Sequence, residues 1–172
     1  MLNYVRLKNQ WIAKLITRFP TLAKRFIDAY TPWTSKDIPW TPVTIALQDA
    51  KVALVTTAGV HHKDQHPFNM RDPNGDPTFR VIDSTKPVTD LMITHDYYDH
   101  SDADKDINIV FPLERLKEFE HEGRIGRVAK KHYSFMGHII GPYIHQLIHT
   151  YAKEVAERLK ADEANVVILT PG

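Results

Sequence analysis

Large apolar side chains recur at steps of three and four residues through the first 30 residues, which is the period of one helix face. Basic residues fill most of the opposite side. The pattern predicts an amphipathic N-terminal helix over residues 1–30, which Pro20 is expected to break or kink. We expect its apolar face to pack on the core or on a second subunit; a helix on a membrane surface is the alternative. The apolar face consists of Tyr4, Trp11, Leu15, Ile16, Phe19, Leu22, Phe26 and Ile27.

Residues 31–50 form a connector rich in proline and tryptophan, and the core is expected to occupy residues 51–172. Runs of β-branched and aliphatic residues in the core predict strands, because such runs are typical of buried sheet positions. The last run predicts a buried parallel strand that leads into Thr170, Pro171 and Gly172. The predicted strands are residues 51–56, 79–82, 91–94, 107–111 and 165–169.

Two helices are predicted between these strands. Pro112 opens the first, at a position where proline is tolerated, and Gly123 ends it. The second covers residues 141–162, with apolar side chains along one face. This alternation predicts a single α/β domain over residues 1–172, with a mainly parallel sheet and flanking helices in a Rossmann-like three-layer arrangement.

Composition narrows the function classes. The chain has 172 residues, a formal net charge of +1 and no cysteine. A net charge this close to zero argues against a nucleic-acid partner. The lack of cysteine excludes disulfides, thiolate metal sites and a cysteine nucleophile within these residues. No apolar run approaches the roughly 18–20 residues needed to span a bilayer, and the N-terminus does not resemble a signal peptide, so we expect a cytoplasmic protein without a membrane partner.

Residues rich in histidine and aspartate follow two of the predicted strands, at 57–69 and 94–106. Because the carboxyl ends of parallel strands share one edge of a sheet, both clusters are expected to meet in one crevice near Gly172. Imidazoles and carboxylates together suit proton transfer near neutral pH. The residues expected to handle protons are His61, His95, Asp99 and His100. Those expected to bind a substrate are Thr57, Gly59, His62, Asp96, Thr170 and Gly172.

Residues 94–100 resemble the Thr-His-x-His-x-Asp-His run of metallo-β-lactamase-like hydrolases. Tyr97 departs from that run, because it stands where the second ligand histidine belongs. This hydrolase fold also needs many strands before the run, where this chain has a predicted helix and connector, so no metal ligand is assigned. A metal-dependent hydrolase that uses the same histidines and aspartates stays as an alternative. For Asp99, Asp102 and Asp104 the alternative to a functional role is a structural one, the capping of a turn or helix.

Seven segments between residues 38 and 137 match one known family, both in sequence and in their order along the chain. The longest begins Thr-His-Asp-Tyr-Tyr-Asp-His and covers residues 94–108. The segments are residues 38–42, 52–61, 75–80, 94–108, 111–116, 123–126 and 133–137. Together they resemble the selenoprotein B family of glycine, sarcosine, betaine and D-proline reductases, over about residues 38–172.

The resemblance implies an oxidoreductase that reductively cleaves a carbon–heteroatom bond, here a C–N bond, next to a carbonyl. It implies that a selenocysteine, or a cysteine in some members, follows Gly172 directly and attacks the substrate. We therefore expect a chain that is truncated just before its redox residue and inactive alone. No cofactor is expected in the chain itself. The resemblance implies a pyruvoyl group on a partner subunit, a thiol or thioredoxin-type electron donor, and assembly into an oligomer. A catalytically inactive binding or assembly subunit is a further alternative.

Overall fold

The computed structural model describes residues 4–19, 21, 24, 28 and 40–172. Most of the predicted helix after Phe19, and the connector before Trp40, lie outside the described residues. Among those that are described, no helix is long and apolar enough to cross a membrane. The helices are α1 (Tyr4–Arg18), α2 (Leu113–His121), α3 (Tyr143–Gln146) and α4 (Ala152–Ala161), with a π-helical turn at Leu147–Tyr151 between the last two.

The described residues form seven strands in two sheets. The strands are β1 (Lys51–Thr56), β2 (Val60–His62), β3 (Arg80–Asp83), β4 (Leu91–Ile93), β5 (Arg127–Val128), β6 (Lys131–Ser134) and β7 (Val166–Thr170). β1 pairs in parallel with β7 along one edge, and along its other edge with β5 at its start and β6 at its end. β3 runs antiparallel to β6, and β2 pairs with β4 in a separate antiparallel sheet.

The predicted α/β class is confirmed, whereas a mainly parallel sheet in a three-layer arrangement is not. The sheet around β1 is mixed, because β3 joins it in the antiparallel direction. The sequence predicts β1, β3 and β4 at nearly the observed positions. It does not predict β2, β5 or β6, because these strands are short and contain too few apolar residues to form an apolar run (VHH, RV and KHYS).

β1 supports the core because its side chains alternate between two apolar clusters, as the geometry of a strand requires. Val52 and Leu54 belong to the cluster that contains the buried residues of α2. Ala53 belongs to the cluster that contains Val155 and Leu159 of α4. Both faces of β1 are therefore buried, and the strand ties the helices to one sheet.

A histidine side chain completes the hydrogen bonding of β1 where β5 and β6 separate. The N–H of Leu54 donates to His132 Nδ1 at 2.8 Å, and His132 is fully buried. Because Nδ1 accepts this bond, the neutral ring carries its proton on Nε2. Burial lowers the pKa of His132 to about 4, so the ring is neutral at pH 7. This histidine therefore has a structural role in the sheet.

Two strand predictions need correction. The sequence predicts a strand at residues 107–111, but Ile107–Ile109 is a 3-10 helix. The Asp106 side chain accepts the N–H of Asn108, and such local bonds favour a turn over a strand. The final strand is parallel as predicted but is not buried: within the described residues β7 pairs only with β1, and Leu169 is 74% exposed.

α1 turns its apolar face away from the rest of the described chain. Tyr4 and Trp11 are 79% and 74% exposed, while Arg6 on the other side binds Asp96. The prediction that the apolar face packs on the chain's own core is therefore wrong for these residues, because polar groups hold the helix in place. Contact with a second subunit stays a prediction. The predicted apolar residues outside the described part are Leu22, Phe26 and Ile27.

We expect His132→Phe to lower the free energy of unfolding by about 1–3 kcal/mol, because the buried N–H of Leu54 would lose its acceptor. Urea unfolding monitored by circular dichroism measures this change. The control His121→Phe replaces an exposed histidine and should stay within about 0.5 kcal/mol of the wild type. An equally small change for His132→Phe would show that the sheet does not need the ring.

Candidate functional site

The turn after β1, residues 57–59, is bonded to the other elements of the candidate site. The N–H of Thr57 donates to the Thr170 carbonyl at 3.0 Å, and the N–H of Gly59 to the Phe135 carbonyl at 2.9 Å. The N–H of Thr94 donates to the Gly59 carbonyl at 2.9 Å. Gly59 has a φ of +72°, and a Cβ there would lie 2.6 Å from the Thr94 oxygen, so only glycine fits. The turn thus joins the ends of β6 and β7 to the 94–100 loop.

A cleft of about 1370 Å³ opens beside this turn. The 94–100 loop lines it with Thr94, His95, Asp96 and His100. Residues 66–71 and the first turns of α1 line it as well. The structure therefore brings three of the predicted site residues, His95, Asp96 and His100, to one cavity.

His95 is buried, and one of its ring nitrogens is hydrogen-bonded within the loop. Its Nδ1 accepts the N–H of Tyr97 at 3.1 Å, and its ring meets the ring of Tyr98 edge to face at a centroid distance of 4.7 Å. Burial, with smaller contributions from the nearby rings of His138 and His100, lowers the pKa of His95 to about 4. The ring is therefore neutral at pH 7.

The structure places His61 and His62 behind the cleft, outside its lining. His61 Nδ1 lies 2.8 Å from the His62 carbonyl, and Nε2 lies 2.8 Å from Thr94 Oγ1. A carbonyl can only accept, so Nδ1 carries the proton and Nε2 accepts from the hydroxyl. Burial lowers the pKa of His61. His62 Nε2 accepts the N–H of Asp83 at 2.9 Å. Functional roles for both histidines stay predictions.

Asp96 anchors α1 to the cleft. Its carboxylate is buried, with a side chain only 3% exposed. Arg6 donates to it from Nε at 2.5 Å and from Nη2 at 3.0 Å, and Gln10 donates from Nε2 at 2.8 Å. Buried carboxylates need such partners, because removal from water is costly. The sequence gives no sign of this contact, since Arg6 and Gln10 look like ordinary residues of a polar helix face.

Asp99 and His100 have different environments although they are neighbours. Asp99 Oδ1 accepts the N–H of Ser101 at 3.2 Å, and bonding to Ser101 lowers the pKa of Asp99. This is the turn-capping geometry of the structural alternative. His100 Nδ1 instead lies 2.8 Å from Asp104 Oδ2.

β7 ends at Thr170, two residues before Gly172, and neither residue lines the cleft. Thr170 Oγ1 donates to the Val110 carbonyl at 2.7 Å, which fixes the end of the strand. A Cβ on Gly172 would lie 2.7 Å from Ala58 Cα and 3.1 Å from Tyr98 Cε1. The Tyr98 hydroxyl donates to the Ala58 carbonyl at 3.1 Å, and burial raises the pKa of Tyr98. Tyr98 therefore links Gly172 to the 94–100 loop, a role that was not predicted from the sequence.

Within the described part of the chain, no three histidine, aspartate or glutamate side chains come together in positions that could hold a metal ion.

Residues 22–172 match the family described as glycine/sarcosine/betaine reductase selenoprotein B. The chain belongs to this family. The resemblance inferred from the sequence is thereby confirmed. It extends over the whole core and over the cleft residues at 66–71 and 92–100, while the α1 residues that line the cleft lie before the matched range.

Three relatives show the extent of the similarity. The chain is 39% identical over 145 residues to the D-proline reductase subunit gamma of Acetoanaerobium sticklandii, covering 84% of this chain and 57% of the relative. It is 32% identical over 136 residues to the glycine reductase complex component B subunit gamma of Symbiobacterium thermophilum, covering 77% and 31%. It is 36% identical over 127 residues to the betaine reductase complex component B subunit beta of Peptoclostridium acidaminophilum, covering 72% and 28%.

The selenoprotein B match thus spans between 28% and 57% of these relatives' length. No solved structure matches the chain.

Replacing Arg6 by alanine should loosen α1, because buried Asp96 would keep only the bond from Gln10. We expect the contact to weaken by about 1.5–3 kcal/mol, the usual range for hydrogen bonds to charged groups. Hydrogen exchange read by mass spectrometry should then be faster in α1 and in residues 94–100. Lys8→Ala, at an exposed position on the same helix, is the control. Unchanged exchange in Arg6→Ala would show that Asp96 does not hold the helix.

Neutral His95 makes the stability of this selenoprotein B-family chain depend on pH. Its pKa is about 4 in the folded protein, against about 6.5 when unfolded, so the unfolded chain binds more protons between these values. Stability is therefore lost as pH falls through this window, by up to about 1.4 kcal/mol per pH unit for this group.

Urea unfolding at pH 7, 6 and 5 tests this expectation, and His95→Gln should reduce the loss of stability on acidification. The control His145→Gln changes an exposed histidine and should keep the wild-type dependence. An identical dependence in His95→Gln would mean that His95 does not contribute to it.

Proposed function

We propose that this chain forms the substrate cleft of an amino-acid reductase component and that a selenocysteine or cysteine follows Gly172. The reaction would be the reductive cleavage of a C–N bond next to a carbonyl in an amino acid or a related small molecule. Membership in the selenoprotein B family supports this, as do relatives named as parts of D-proline, glycine and betaine reductases. The observation that carries the proposal is the position of Gly172 against Ala58 and Tyr98, because Tyr98 belongs to the 94–100 loop that lines the cleft.

The proposed redox residue would supply a soft, anionic nucleophile that displaces an amine from the substrate. The end of a strand suits such a group, since loops at the carboxyl ends of strands are where α/β proteins bind ligands. Tyr98 and Ala58 already pack on Gly172, so the next residue would start from a fixed position.

The cleft residues would bind and orient the substrate in this proposal. His61 and His95 would act through the bonds they already make, because a proton transfer at His61 would break its bond to Thr94 or to the His62 carbonyl. Thr57 and Gly59 would hold the turn that shapes the cleft. Asp96 would shape it by keeping α1 in place.

The proposal includes the partners that the family resemblance implies. These are a subunit that carries a pyruvoyl group, a thiol or thioredoxin-type electron donor, and assembly into an oligomer. The relatives' names support assembly, because each is called a subunit. The exposed aromatic side chains of α1 offer apolar surface for a contact between subunits.

The coding DNA beyond the Gly172 codon gives the first test. We expect an in-frame UGA or cysteine codon followed by an open frame. A genuine stop codon with no continuing frame would contradict the proposal and favour a binding role.

Extending the protein through this frame should produce substrate-dependent amine release with a dithiol as reductant, whereas the 172-residue chain should show none. The matched control is the extended protein with serine in place of the residue after Gly172, which lacks the nucleophile. Amine release is measured by a coupled assay. Substrate binding without turnover in the extended protein would favour an assembly subunit, and stoichiometric zinc or iron would favour the hydrolase alternative.

A further inference from the structure

Most polar groups of the 94–100 loop are committed to bonds within the protein. His95 Nδ1 accepts a backbone N–H, and the Tyr98 hydroxyl donates to the Ala58 carbonyl. The Asp96 carboxylate is taken by Arg6 and Gln10. His100 differs, because its Nδ1 is bonded to a carboxylate, that of Asp104, whereas His95 Nδ1 accepts a backbone N–H; no described residue bonds His100 Nε2. This leaves one ring nitrogen of a cleft-lining histidine open.

Asp104 is held where it can orient the His100 ring. It lies four residues later, and its N–H donates to the His100 carbonyl at 2.8 Å, which closes the turn between them. Buried Ala103 fixes this turn to the core. The carboxylate oxygen lies 2.8 Å from His100 Nδ1. A carboxylate can only accept, so Nδ1 carries the proton and the lone pair stays on Nε2.

Tyr98 links His100 to Gly172. Its ring is 5.6 Å from the His100 ring between centroids, and its Cε1 lies 3.1 Å from where a Cβ on Gly172 would be. His66 lines the cleft too, but its Nδ1 is bonded to the neutral Pro67 carbonyl and its side chain is exposed. His100 is therefore the cleft histidine with both a carboxylate partner and a link to the chain's last strand.

We propose that Asp104 is a positioning residue that holds His100 as the proton acceptor and donor of the cleft. This rests on the proposed function. Nε2 first takes the proton from the selenol or thiol, which leaves the anionic nucleophile. As the nucleophile–carbon bond forms and the C–N bond breaks, the Nε2–H group gives this proton to the leaving amine, so the ring is unchanged after each turnover. The dithiol donor named above then cleaves the nucleophile–carbon bond: the dithiol becomes a disulfide, and its two hydrogens go to the substrate carbon and to the nucleophile.

The tautomer of His100 tests the positioning directly in the 172-residue chain. Two-bond ¹H–¹⁵N correlation spectra of histidine-labelled protein, at a pH where the ring is neutral, should show the proton on Nδ1. Asp104→Ala should shift the neutral ring towards the Nε2–H form, while His66 stays unchanged. Asp102→Ala is the matched control, because Asp102 lies on the same turn and its exposed side chain pairs with Lys105. A wild-type ring already on Nε2–H, or no shift in Asp104→Ala, would overturn the proposal.

Turnover of the extended protein tests the proton transfer. We expect His100→Gln to lower kcat by about 100-fold or more, and Asp104→Ala by about 10-fold, with little change in KM. Asp102→Ala should keep the wild-type kcat. Wild-type kcat in His100→Gln would overturn the proposal even if the tautomer result holds. An extended wild-type protein without turnover contradicts the proposed function and with it this role of His100, whereas the tautomer result still decides whether Asp104 orients the ring.

Discussion

The parallel pairing of β1 with β7 is the contact on which the candidate site depends. It runs in register from Val52 opposite Val166 to Thr56 opposite Thr170, and the bond from Thr57 to the Thr170 carbonyl carries it past the strand ends. This register decides where the chain leaves the sheet, which is beside Ala58. The same turn receives β6 and the 94–100 loop. The hydrogen bonds that stabilise the sheet therefore also position the groups proposed for chemistry.

A buried charge explains the unusual placement of α1. Asp96 would be costly to bury alone, and Arg6 and Gln10 supply the hydrogen bonds that it needs. Satisfying the carboxylate turns the polar side of the helix inwards, so Tyr4 and Trp11 face outwards. In a free monomer these rings would stay in contact with water. The arrangement suits a protein whose relatives are named as subunits, since exposed apolar patches mark sites of protein contact.

The sequence predicted the parts of the fold that depend on long apolar runs, and it missed those that depend on neighbours. β1 and α2 have strong patterns of their own. A run of apolar residues does not show whether another element covers the outer edge of the strand, and the burial of β7 depends on such a cover. At Ile107–Ile109 the apolar pattern predicted a strand, but the hydrogen bond from the Asn108 N–H to the Asp106 side chain favours the observed 3-10 helix. For the site, the histidine-rich run after β4 was found from its place at a strand end, although β4 lies in an antiparallel sheet and not beside β1 in a parallel one as predicted. The side-chain bonds to α1 lie beyond any pattern of spacing.

The ten histidines of this chain have at least two separate roles, and hydrogen bonding distinguishes them. His132 and His95 are neutral because burial lowers their pKa, and each accepts a backbone N–H. An abundance of histidine is therefore no sign of catalysis by itself. The aspartates of the 94–106 run also have different partners: Asp96 anchors α1, Asp99 caps a turn and Asp104 bonds to the His100 ring. A reactive histidine needs one anchored nitrogen and one open nitrogen, and the pairing of His100 with Asp104 meets that condition at the cleft.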